Sequence, residues 1–89
     1  MTDEIMDSIR ALAKAIHAES GRYVTYSEDM HSTSFDVSVW IQSVGGPTAE
    51  FDVFRGSDRP LAGYSTTHEQ MRDELAGWLA DYRKEQEAA

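Results

Sequence analysis

Two neighbouring stretches, Phe35 to Ser43 and Thr48 to Arg55, alternate apolar and polar residues, and this constrains the fold more than any other feature of the chain. Successive side chains of a pleated strand point to opposite sides, so such alternation predicts two half-buried strands, with one sheet face packed on a core and the other left open. In the first stretch Phe35, Val37, Val39 and Ile41 are the inward set. In the second the inward set is Ala49, Phe51 and Val53. Gly45, Gly46 and Pro47 between them are turn formers, which makes the pair an antiparallel hairpin. Keeping both apolar sets on one face predicts Val39 opposite Phe51, Trp40 opposite Glu50 and Ser38 opposite Asp52.

Helical periodicity brackets these strands. Ile5, Ile9, Leu12 and Ile16 recur at spacings of three and four, predicting a helix over residues 3–20, with Thr2 as N-cap and Gly21 as its terminator. Tyr23 to Met30 has strand composition, but its inward face is not fixed by pattern. Glu28, Asp29 and residues 31–34 form a polar group that reads as a turn or loop, Gly56 to Arg59 reads as another turn, and Leu61 to Tyr64 as a packed loop in preference to a short fourth strand. Thr66 and Glu69 have capping-box spacing, opening a last helix whose buried stripe is Met71, Leu75, Trp78, Leu79 and Tyr82. Gly77 within that helix suggests a close approach of the sheet, and residues 85–89 a frayed tail. The expected architecture is a single α+β domain over residues 1–89. It is a two-layer sandwich in the order helix, three antiparallel strands, helix, with both helices on one face.

The opposite sheet face is then the informative one. It would carry Asp36, Ser38, Trp40, Glu50, Asp52 and Phe54, carboxylates interleaved with large rings. Aspartate is a poor strand former, and rings left facing water contribute nothing to a core. Partner binding through these six residues is the functional expectation, with Trp40 and Phe54 as anchors and the carboxylates pairing with Arg or Lys of a partner. A solvated face whose acids discourage strand aggregation is the competing explanation.

Sixteen acidic against eight basic side chains give a net charge of −8. That charge opposes direct contact with nucleic acid or anionic membranes and favours a basic protein partner. The chain has no cysteine, which removes disulfides, thiolate metal sites and cysteine nucleophiles from consideration and is compatible with a cytoplasmic location. No secretory signal or membrane-spanning run is legible at the N-terminus. His17, His31 and His68 lack ligand spacing, so no metal or cofactor is expected. No nucleophile motif points to catalysis, and the Gly45–Gly46 pair precedes a strand rather than the helix that a phosphate loop requires.

The element order resembles the double-stranded RNA-binding domain. That family carries lysines at the start of its last helix, whereas this chain has His68, Glu69, Gln70, Met71, Arg72, Asp73 and Glu74 there, so the resemblance extends to topology and not to RNA binding. In size, acidity, absence of cysteine and element order the chain also resembles small acidic phage-encoded anti-CRISPR proteins. This second resemblance implies a noncatalytic, stoichiometric inhibitor that mimics nucleic acid and occupies the basic groove of a nucleic-acid-binding effector complex. The rival expectation is a homodimer assembled through the exposed sheet face.

Overall fold

The structure is a computed structural model that describes residues 3–43 and 50–88. The turn assigned to Gly45–Pro47, the cap at Thr2 and inward-facing Ala49 lie outside those residues. Helix α1 (Asp3–Ser20) leads into strands β1 (Val24–Met30), β2 (Phe35–Gln42) and β3 (Phe51–Ser57), and helix α2 (His68–Ala88) follows. The strands form one antiparallel sheet in the order β1-β2-β3. The expected α+β sandwich is therefore present, and α2 continues through the segment where fraying was expected.

α1 ends where the sequence indicated. Gly21 adopts a φ of 70°, a left-handed conformation costly for residues with a Cβ, and its N–H donates to the His17 carbonyl at 2.9 Å. The core lies between the helices and one sheet face. Met6, Ile9, Ala13 and Ile16 of α1 meet Val37, Val39 and Ile41 of β2 and Met71, Leu75 and Leu79 of α2, all of them buried. The α1 stripe is rotated slightly from the expected one, so that Ile5 and Leu12 flank the cluster instead of sitting at its centre. The two helices run parallel: Ser8 and Arg72 share a groove near their starts, and Arg83 clasps the Glu19 carboxylate at 2.9 and 2.6 Å near their ends.

β1 turns Val24 and Tyr26 toward this core, opposite Ile41 and Val39. β3 departs from expectation. Val39 pairs with Phe54, Ile41 with Asp52 and Val37 with Gly56, so paired numbers sum to an odd value and the strand is in the opposite phase. Phe54 packs against the core, whereas Phe51 and Val53 lie on the outer face. Two side chains explain the choice. In the expected phase Arg55 would share the helix-covered face with Phe51 and Val53, burying a charge without a partner. In the observed phase Arg55 is on the outer face and Gly56 sits where α2 begins. An added Cβ on Gly56 would lie 3.0 Å from Met71 Sδ and 3.2 Å from His68 Cα. The close approach expected at Gly77 therefore occurs at Gly56, and nothing lies within 4 Å of a Cβ built on Gly77.

The capping box is also displaced by one residue. Thr67 and Gln70 form it, with Gln70 N–H donating to Thr67 Oγ1 and Thr67 N–H to Gln70 Oε1, both at 3.1 Å. Thr66 is used differently. It forms a parallel bridge to Gly56, its carbonyl accepting from Ser57 N–H at 2.8 Å and its own N–H donating to Arg55 O at 3.2 Å. Leu61–Tyr64 is a loop and not a strand, as expected, with Gly63 at a φ of 77°, but it is not packed, since Leu61 and Tyr64 are both exposed.

Candidate binding face on the open side of the sheet

The ladder fixes which side chains share the face away from the helices. β1 contributes Thr25, Ser27 and Asp29, β2 contributes Asp36, Ser38 and Trp40, and β3 contributes Phe51, Val53 and Arg55. Of the six residues read from the sequence, Asp36, Ser38 and Trp40 are there. Asp52 and Phe54 are not: the phase of β3 directs them to the helix side, where Asp52 accepts from Trp78 Nε1 at 3.3 Å. Glu50 is exposed just before β3, its carbonyl accepting from Ser43 N–H at 2.8 Å.

Aromatic side chains form a continuous row over this face. Tyr23 meets Phe51 edge to face at 6.3 Å between ring centroids, and Phe51 meets Trp40 in the same manner at 6.0 Å, within the range in which such pairs attract. The row then passes to a cation. The Arg55 guanidinium lies 5.8 Å from the Trp40 ring centroid and 5.0 Å from that of Tyr64. Trp40 is 37% exposed, Val53 38% and Tyr23 60%, so the row faces water.

At one end the face becomes polar. Ser27 and Ser38 hydroxyls share a hydrogen bond at 2.7 Å, and Asp29 and Asp36 are cross-strand partners. His31 Nε2 lies 3.1 Å from Asp36 Oδ2. The charge balance differs from that expected: two carboxylates and one guanidinium occupy this face, while α2 carries six acids against three bases. Most of the acidity therefore lies over the helices.

Tyr23, Phe51, Val53, Arg55 and Tyr64 were not legible as site residues. A signal for three of them did exist, since Arg55 has the same parity as Phe51 and Val53 and an arginine in the middle of a sheet belongs outside.

The helix side has its own polar cluster at the edge of the core. Tyr26 donates to Glu28 Oε1 at 2.6 Å, and Arg10 pairs with the same carboxylate while also holding Asp7 at 3.1 Å. The bond from Tyr26, and then that from Arg10, holds the Glu28 carboxyl below its ordinary range. Burial, followed by the Glu28 bond, pushes the Tyr26 phenol up to about 12. His68 is buried against Phe35, and its Nε2 has no hydrogen-bond partner among the described residues. Among those residues no three His, Asp or Glu side chains converge to hold a metal, and no helix is long and apolar enough to cross a membrane. Comparison with family models, with curated proteins and with solved structures gave no match.

Proposed function

We propose that this protein is a noncatalytic binding module that docks a basic protein partner through the open side of its sheet. One observation carries the reading: a row of rings, Tyr23, Phe51 and Trp40, faces water on a sheet surface that no helix covers, while the helix side already has a complete core. Aromatic anchors of this kind contribute much of the binding energy in protein interfaces. The net charge of −8 adds a long-range field that draws in a basic surface and speeds encounter. In its most specific form the reading is a stoichiometric inhibitor of a nucleic-acid-binding effector. In that form Asp29 and Asp36 take the place of phosphates in a basic groove, and the acids of α2, on the far side of the sandwich, add only to the long-range field. Asp52 and Phe54 leave the contact set, and Phe51 and Tyr23 enter it.

A pull-down from bacterial lysate, repeated at low and high salt, tests this. A basic partner is captured at low salt and released at high salt, and Trp40→Ala abolishes capture while the urea midpoint changes little. Capture indifferent to both salt and Trp40 rejects the proposal.

A homodimer joined face to face is the second reading, favoured by the adjacency of Trp40, Phe51 and Val53 in one apolar patch. Light scattering after size exclusion separates the two. A mass that stays monomeric as concentration rises removes the dimer.

A further inference from the structure

The polar end of the open face contains a cleft of about 450 Å³, bounded by β2, β3 and the 57–65 segment. Asp29 and Asp36 line one side, and Arg55 and Arg59 line the other. What distinguishes it is that three of its charges, Asp29, Arg55 and Arg59, have no oppositely charged partner among the described residues, whereas Asp36 is paired with His31, which also lines the cleft. Arg55 is held between the rings of Trp40 and Tyr64, yet among the described residues no carboxylate lies within ion-pair distance of it or of Arg59. Asp29 likewise has no cationic partner there, although it stands beside Asp36, a like charge that a cross-strand position brings within about 5 Å. Arg55 and Asp36 lie on neighbouring strands, offset by one pleat, which separates their Cβ atoms by roughly 7 to 8 Å. An arginine can span that distance, yet Arg55 is turned onto the rings of Trp40 and Tyr64 and forms no ion pair with Asp36, which leaves the cleft between them open to an inserted group.

We infer that this cleft binds a small zwitterion, with its ammonium between Asp29 and Asp36, its carboxylate on the guanidinium of Arg55, and an apolar side chain against Leu61 and Tyr64. A fixed, planar guanidinium suits a carboxylate because two parallel N–H bonds can form without loss of rotamer freedom. The paired aspartates suit an ammonium because a cation relieves their mutual repulsion. The volume is of the size that accepts an amino acid or a dipeptide. The cleft shares Asp29 and Asp36 with the partner-binding proposal but takes a ligand of different size, so its occupancy is measured on the isolated protein whatever becomes of that proposal.

Glycyl-leucine titrated into the full chain, followed by amide chemical shifts, is the test, with free leucine in parallel to distinguish an amino acid from a peptide end. Saturable shifts confined to Asp29, Asp36, Arg55, Ser57 and Tyr64 are expected. N-acetylation of the dipeptide and amidation of its carboxylate should each weaken binding by about tenfold or more, the effect of losing one charge-assisted contact. Arg55→Gln should match the amidated ligand. The inference is overturned if no saturable shift appears by about 10 mM, a concentration corresponding to negligible affinity. It is also overturned if the capped dipeptides bind as well as the free one. That comparison uses the unaltered protein and so holds whatever Arg55→Gln does to folding.

Discussion

Alanine at Gly56 and alanine at Gly77 should act in opposite directions. At Gly56 the backbone accepts alanine, since the positive-φ glycines among the described residues are Gly21 and Gly63, but the space does not. The new Cβ would lie 3.0 Å from Met71 Sδ, 3.1 Å from Met71 Cβ and 3.2 Å from His68 Cα. Unstrained contacts need roughly 3.5 to 4.0 Å, so β3 and the start of α2 must separate by several tenths of an ångström. The sulfur can rotate away, but the His68 backbone is tied through the Thr67–Gln70 box and the Thr66 bridge. Overpacking of this type costs about 1 to 3 kcal/mol, and the entropy lost by the unfolded chain returns about 0.4 to 1. The net loss for Gly56→Ala is therefore about 1 to 2 kcal/mol, which in a domain of this size lowers Tm by roughly 4 to 16 °C. Gly77→Ala meets nothing within 4 Å on an exposed helix position and should add about 1 kcal/mol. Urea unfolding with a common m-value measures both. If Gly56→Ala is as stable as the parent, or Gly77→Ala is less stable, the assignment of the close approach is wrong.

Phe54→Ala should cost about 2 to 4 kcal/mol in the same assay, as removal of a core ring does, whereas Trp40→Ala should cost under about 1 kcal/mol. Equal losses would contradict the phase of β3. Thr67→Ala should lower stability by about 1 kcal/mol while Glu69→Ala is nearly silent, and the reverse order would return the capping box to Thr66 and Glu69. The Tyr26 phenol titrates at about 12 in the folded chain and near 10 unfolded, so the folded state holds that proton more tightly. Its stabilisation is complete below pH of about 10 and disappears as pH rises toward 12; urea midpoints across that window should decline, with a smaller decline in Tyr26→Phe. Glu28, held below its ordinary range, acts in the other direction, its stabilisation being lost as pH falls through the folded value.

The order of elements was legible because α1 and β2 carry one period each without ambiguity: the core of β2 is the set Phe35, Val37, Val39 and Ile41 that alternation predicts. β3 was not, because its two parities are nearly equally apolar, with Phe51 and Val53 on one and Phe54 on the other. Local alternation cannot choose between them. The choice is made by long-range packing, in which Gly56 admits α2 and Asp52 receives the Trp78 N–H. Half of the candidate site depended on that choice, which is why Asp36, Ser38 and Trp40 were found and Phe51 and Arg55 were not. Thr66 and Thr67 present the same problem at smaller scale: each has Glu or Gln three residues later, and only the hydrogen bonds of Thr66 to β3 free Thr67 to cap.

The two tryptophans of the chain each have an aromatic neighbour and an arginine, but they stand on opposite sides of the sheet. Trp78 stacks on Tyr82 at 5.6 Å, lies under Arg22 at 5.0 Å and donates its indole N–H to Asp52, whereas Trp40 stands on the open face. Each indole therefore emits as a separate reporter. Acrylamide should quench Trp40 more readily than the partly buried Trp78, and a ligand that covers the sheet should protect only the former. Unfolding, by contrast, should shift the spectra of both, so that occupancy and integrity can be followed in one cuvette without an added dye.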